Sequence, residues 1–345
     1  MAKRSCGMRF AVAAFCAGLV AANPACAQAQ GQFYRGRTLI ILVGVAPGGS
    51  FDLYARLLAR HFGDHVPGHP SVVVQNKSGA GGMTAFNYLY NVAPRDGTVL
   101  DIVPPAIALS QALKSSEPQY DARKLSWLGR LTSINQVFYT WHSSATKTLA
   151  DLQRRDTLTS GTGPDADSVV FTTLMNDLAG TRFKLINGYN ETAAAMLALE
   201  RGEVEGVVRP WEGMRAGPER DWLARGEINL VAQFGLARHP DLPQVGAVSE
   251  LIKTDRDREI LRLFLSANDI GRSFALGPEV PADRIEVLRS AFQAMLTDPA
   301  FLADADKLQL SLNPAPAEVL AERTFATLDA PPGAIKLARK YYPGN

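Results

Sequence analysis

Residues 38–45 (TLIILVGV) form a near-continuous apolar run, the pattern of a strand buried on both faces of a sheet. Pro47, Gly48, Gly49 and Ser50 interrupt it. Beyond them Phe51, Tyr54, Leu58 and Phe62 recur at helical spacing. Ser50 stands where a helix N-cap is expected, and Asp52 where a carboxylate favours the positive helix end. The pattern then repeats. Residues 71–76 (SVVVQN) read as a second strand, and Gly79, Ala80, Gly81 and Gly82 as the loop after it. Phe86, Leu89 and Tyr90 share one face of the next helix, and residues 98–103 read as a third strand.

Strand, Gly-rich loop, helix, repeated, predicts an α/β protein with mainly parallel sheets. Ligands of such sheets bind beyond the carboxyl ends of the strands, where both loops would lie. A second set follows. Residues 137–142 and 157–161 read as strands. The loop of Gly161, Thr162, Gly163 and Pro164 leads into a helix over 168–178, closed by Gly180. Thr192 caps a short helix ending at Gly202, and residues 203–209 and 228–234 read as further strands. Over 281–296, Ile285, Leu288, Phe292 and Met295 make one side of an amphipathic helix. No repeat of solenoid period is present.

The N-terminus changes the charge balance. Lys3, Arg4 and Arg9 precede an apolar stretch over 10–22, and Ala25-Cys26-Ala27 has the small-x-small form of a cleavage site. Residues 1–27 therefore read as a secretory signal peptide, with the mature chain starting near Gln28. The 345-residue chain carries 36 Lys and Arg against 34 Asp and Glu. Removing the signal takes three of the basic residues, so the basic balance that would argue for nucleic acid disappears. Cys6, Cys16 and Cys26 all lie in the signal. Disulfides, thiolate catalysis and Cys-ligated metals drop out of the mature protein, and export of such a chain fits a periplasm. At 46% hydrophobic residues the composition is that of a globular protein of about two domains.

The loops carry a family likeness. Residues 43–59 (VGVAPGGSFDLYARLLA) resemble the first strand, loop and helix of the Bug-type substrate-binding proteins of tripartite tricarboxylate transporters. Residues 72–89 (VVVQNKSGAGGMTAFNYL) and 93–100 (APRDGTVL) resemble the next segments, in order and spacing. Gly161-Thr162-Gly163, residues 188–208 (GYNETAAAMLALERGEVEGVV) and 237–245 (ARHPDLPQV) continue the match over nearly the whole mature chain. The resemblance implies the type II periplasmic-binding fold: two α/β lobes, each a mostly parallel sheet flanked by helices, around a cleft. One lobe would comprise residues 28–135 plus 237–345, with part of the C-terminal helices free to pack on the other; the second would be 136–236. It implies a small organic acid as ligand, captured by closure of the lobes, and a two-component membrane permease as partner. No cofactor or metal is implied. A monomer is expected, since closure needs no second chain.

By this resemblance the ligand site takes in Val45, Pro47, Gly48, Gly49, Ser50, Gly81, Gly82, Met83, Gly161, Thr162, Gly163, Asp165, Tyr189, Arg209 and Trp211. Helix N-termini offer free N–H groups, and glycine lets backbone approach a ligand. Each helix end contributes about 0.3–1 kcal/mol, whereas micromolar binding needs about 8 kcal/mol. Directed hydrogen bonds and apolar enclosure must supply the rest. The chain departs from the family pattern at the pocket. Val45 replaces a usual Phe, Pro164 a usual Ser, and Glu191 a usual Gly. Asp165 and Asp167 bring acids to a helix N-terminus, as caps or as contacts for a cationic or hydroxylated ligand group. Arg209, at a strand end, would grip a carboxylate in two-pronged fashion or pair internally with Glu191, Asp165 or Glu212. Tyr189 and Trp211 would line the pocket or pack in the core.

Other chemistry finds little support. His61 and His65 have i, i+4 spacing, but no HExxH pattern exists, and Pro67 and Gly68 separate them from His69. No lysine follows the GAGG loop as a phosphate loop requires, the dinucleotide GxGxxG spacing is incomplete there, and no GxSxG elbow occurs. Ser50 has no base assigned to it by any pattern. The chain reads as a binding protein rather than an enzyme, with a secreted hydrolase or isomerase using the same cleft, or a ligand-sensing lobe for a membrane partner, as the alternatives.

Overall fold

The computed structural model describes residues 33–113, 119–161, 166–189 and 192–342. The signal-peptide reading falls outside them. Strands β1 (Thr38–Val43), β2 (Ser71–Asn76) and β3 (Val99–Ile102) form from the three apolar runs and lie side by side, with β1 parallel to both neighbours. Ile40 stands opposite Val73 and Val99, which sets the register. The helices Ser50–His65 and Met83–Asn91 connect them. Tyr54, Leu58 and Phe62 bury their shared face against β1 and against Leu288 and Phe292 of the helix Ala282–Met295.

The sheet is completed from elsewhere in the chain. Its order is β2–β1–β3–β10–β4–β11, with β4 (Ser126–Arg130), β10 (Ser273–Leu276) and β11 (Ala315–Pro316). The second sheet has the order β7–β6–β8–β5–β9. Its strands are β5 (Gln136–Trp141), β6 (Thr157–Gly161), β7 (Phe183–Asn187), β8 (Gly206–Pro210) and β9 (Ile228–Phe234). The expected α/β lobes are present, but the mostly parallel pairing holds only for β2–β1–β3 and β7–β6–β8. Strand β10 runs antiparallel to β3 and β4, and β5 runs antiparallel to β8 and β9. These strands enter after the chain passes from one sheet to the other, not through a β-helix-β unit, so the rule that makes such units parallel does not act on them.

The two passages between sheets are hydrogen-bonded to each other. Arg272 N–H donates to Thr132 O at 2.8 Å, Leu131 N–H to Arg272 O at 3.0 Å, and Ile134 N–H to Asn268 O at 2.9 Å. Gly271 makes this approach possible. Its φ is +54°, and a Cβ there would stand 2.3 Å from Thr132 O. The helix Asp255–Ile270 is started by Thr254, whose hydroxyl accepts from Asp257 N–H. Leu261, Phe264 and Leu265 of this helix share a core with Phe138, Phe171 and Phe234 of the second sheet's layer. Leu109, Leu113, Ala334 and Ala338 belong to the same core. Among the described residues no helix is long and apolar enough to cross a membrane.

Candidate functional site

A cavity of about 960 Å³ lies between the sheets, beside the loop after β3 and the carboxyl end of β8. That volume lies at the upper end of small-molecule pockets. Phe51, Gly81, Met83, Pro104 and Ile107 border it from the first sheet's loops. Gln136, Asp167, Phe171 and Pro210 border it from the second sheet, and Asn268 and Arg272 from the returning passage. A recess of about 230 Å³ shares Gln136, Asp167 and Pro210 with it and adds Ser160 and Arg209.

Arg272 is the central cation. It is 3% exposed and stacks over the Phe51 ring at 4.0 Å. Its Nε and Nη2 donate to the Ser50 hydroxyl, both at 3.2 Å, and Nη2 also reaches Glu212 Oε1 at 3.2 Å. Nη1 is buried and has no hydrogen-bond partner. Ser50 opens the helix Ser50–His65 beside the first sheet, and Glu212 lies in the helix Trp211–Ala216 after β8. The guanidinium therefore ties the two layers together. Burial pushes the Glu212 carboxyl up, against the pull of the Arg272 charge; burial likewise holds Arg272 below its ordinary range.

Asp167 is the first residue of the helix Asp167–Ala179 and presents its carboxylate to the cavity. Gln136 Nε2 donates to Oδ2. The surrounding protein raises its pKa, opposed by Gln136 and by the Arg272 charge. Among the described residues Asp167 has no ion-pair partner.

The sequence-derived candidates separate into groups. Gly81 and Met83 border the cavity, and Ser50 meets it through Arg272. The expected N-cap is Gly49 instead of Ser50, which leaves the Ser50 hydroxyl for Arg272. Pro47, Gly48 and Gly49 are exposed on a loop organised from below by Asp52. That buried carboxylate accepts Gly48 N–H at 2.9 Å, Arg56 Nε at 2.8 Å and Asn76 Nδ2 at 2.9 Å. Burial alone would raise its pKa; these bonds outweigh it and hold the group below the usual carboxylate range. Asn76 Nδ2 also donates to Val45 O, and Val45 itself packs on the core of the first sheet.

Gly82 is buried against Gly44 and Pro104. A Cβ on Gly44 would come within 2.4 Å of Gly82 Cα. Backbone meeting backbone cannot relax as a side-chain tip would, so Gly44→Ala is expected to destabilise by about 1–3 kcal/mol, measured as a lowered urea midpoint.

On the second sheet, Gly161 ends β6, and Thr162, Gly163 and Asp165 fall outside the described residues. Arg209 borders the recess but gives its Nε to the fully buried Glu219 at 2.9 Å. Glu219 also accepts the Tyr139 hydroxyl at 3.3 Å. The internal pair foreseen for Arg209 thus forms, with a partner the sequence did not suggest. Trp211 Nε1 donates to Asp241 at 3.2 Å and Tyr189 OH to Glu203 at 3.4 Å; both rings pack against a core that includes Val137 and Trp222. His61 contacts Asp304 of the helix Pro299–Lys307, and His65 contacts Asp298, the N-cap of that helix. Among the described residues no cluster of His, Asp and Glu is arranged to hold a metal.

The residues that sequence reasoning missed are Arg272, Gln136 and Asn268. A signal existed for the first: Arg272 stands one position before the apolar run SFAL, between a helix and a short strand. A charge in such a place needs a buried partner or a ligand.

No family model matches the chain. A UPF0065 protein of Cupriavidus necator, named for the gbd 5′ region, is 28% identical over 261 residues, covering 73% of this chain and 75% of that protein. A TctC solute-binding protein from Polaromonas has the same fold, with a TM-score of 0.66 at 17% identity over 89% of this chain and 98% of its own. MatC from Rhodopseudomonas palustris, solved with bound malate, superposes with a TM-score of 0.58 at 19% identity over 88% of this chain and 98% of its own. The resemblance to the Bug-type binding proteins read from the motifs is borne out, and with it the two-lobed fold.

Proposed function

We propose that this chain is a periplasmic solute-binding protein. It captures a small organic carboxylate between its two sheets and delivers it to a two-component permease of the tripartite tricarboxylate type. The observation that carries the reading is the cavity bordered by Arg272, a buried guanidinium with one nitrogen lacking a partner. A ligand carboxylate would complete that nitrogen's hydrogen bonding, and a charged hydrogen bond contributes about 1.5–3 kcal/mol. The apolar walls at Phe51, Met83, Ile107 and Phe171 would supply enclosure. A relative of the same fold holds malate, which supports an acid as the ligand class. The hydrogen-bonded passages at 131–135 and 268–272 are the proposed hinge, and closure is a population shift toward the state in which both layers touch the ligand.

The test is a thermal-shift screen of the mature protein against organic acids, amino acids and aromatic carboxylates. A ligand at 100 times its dissociation constant stabilises by about 2.7 kcal/mol, a clear rise in Tm. The double variant Arg272→Gln, Glu212→Gln removes both charges of the pair together, and its affinity is expected to fall about 10- to 100-fold. Unchanged affinity removes Arg272 from the site. No binding by any acid in the screen overturns the reading. Deleting the gene from the producing bacterium and measuring uptake of the ligand then separates delivery to a permease from sensing.

A further inference from the structure

Among the described residues the charges around the cavity do not balance for a plain organic acid. Arg272 is matched by Glu212 at 3.2 Å, so that pair is neutral as a unit. Asp167 is left over, bordering the cavity, and among the described residues its one hydrogen bond comes from Gln136. A second acceptor borders the same cavity. Asn268 spends its Nδ2 on Phe234 O at 3.1 Å, which leaves its Oδ1 for a donor. The returning passage thus brings to the cavity a guanidinium with one unpartnered nitrogen and the Asn268 amide oxygen, and the second sheet brings the Asp167 carboxylate. A dicarboxylate bound at Arg272 would bring its second charge into the field of Asp167, and like charges repel.

We infer that the ligand is a zwitterion: an amino acid or similar compound whose carboxylate meets Arg272, whose ammonium group meets Asp167 and Asn268, and whose apolar body fills the space beside Met83 and Phe171. The inference rests on the carboxylate reading above and deepens it by naming the second charged group. An ammonium donates three hydrogen bonds, enough to use the free Asp167 oxygen and Asn268 Oδ1 together. It also favours the ionised form of Asp167. The helix Asp167–Ala179 already favours a negative charge at this end, so ionisation there is supported from the protein side as well.

The experiment compares matched triads by calorimetry on the mature protein. Each triad is an amino acid, the acid lacking its amino group and the amine lacking its carboxylate, built on alanine, leucine and phenylalanine, with malate and adipate alongside. In at least one triad the amino acid is expected to bind about tenfold or more tighter than its deaminated acid. Asp167→Asn is expected to shrink that gap to about threefold or less by weakening the amino acid alone. Asp167 is not packed in a core, so the unliganded variant should keep its Tm, which guards against a folding artefact. If the deaminated acids bind as well as the amino acids, or Asp167→Asn leaves the gap intact, the inference is overturned. If malate or adipate binds and no amino acid does, the inference falls while the carboxylate reading stands. If only amines bind, or nothing does, both fall.

Discussion

Replacing Arg272 by glutamine is expected to cost the folded state about 3–5 kcal/mol, because it leaves Glu212 buried without its counter-charge. Glu212 is 5% exposed, so water cannot take over the role of the guanidinium. The Ser50 hydroxyl loses two donors at the same time. Adding Glu212→Gln to the same chain should recover at least half of the loss. A buried ion pair replaced as a whole is often close to neutral, whereas breaking one side strands a charge. Urea denaturation of the wild type, the single variant and the double variant measures all three. A single-variant cost below about 1 kcal/mol would mean that the pair is more hydrated than its burial indicates. A double variant no better than the single would place the cost in the Phe51 stacking and Ser50 contacts instead.

Asp101→Asn is expected to stabilise the protein, and to do so increasingly as pH rises. Asp101 lies in β3 with Leu42 and Ala275 opposite it on the flanking strands. It is fully buried, and neither carboxylate oxygen has a hydrogen-bond partner. Burial therefore raises its pKa well above the ordinary carboxylate value. The folded state holds this proton at a pH where the unfolded chain has released it. Stability from this group is fully present below the unfolded pKa of about 3.9, and falls with rising pH by up to about 1.4 kcal/mol per unit until the raised folded pKa is reached. Asparagine carries no such charge, so the variant lacks that slope. Urea midpoints of both proteins from about pH 4.5 to 8 should diverge steadily. Curves that stay parallel would show that Asp101 is ionised, with water or an ion compensating it.

Local pattern reached far into the fold. Three strands have the bounds read from their runs: Ser71–Asn76, Thr157–Gly161 and Ile228–Phe234. The helix at Asp167–Ala179 ends against Gly180, whose φ of +64° is the left-handed cap its position suggested. Strand β10 escaped notice because SFAL is four residues long and has no alternation to set it apart from a turn. The helix Asp255–Ile270 begins in a stretch of acids and arginines that hides its apolar face until Ile260.

The site was legible as loops and not as charges. Arg209 and Arg272 look alike in the sequence: each adjoins a short apolar strand. Their difference is decided by what lies across from them. Arg209 meets Glu219 ten residues on, under the second sheet, and its Nε is consumed. Arg272 meets Glu212 sixty residues upstream, across the gap between the layers, and keeps one nitrogen free. Asp52 likewise sits where a helix-end charge belongs, yet its work is to hold the loop at Gly48 and the strand end at Asn76.

By itself the sequence determined the strands, the glycine loops at their carboxyl ends and the family likeness, because apolar periodicity and backbone freedom act over a few neighbouring residues. Only the tertiary structure decided the antiparallel strands, the joined passages between sheets and which arginine faces the cavity. Those depend on pairings between groups far apart in the chain, where burial sets the energy of each charge and the partner's position settles which hydrogen bonds remain to be made.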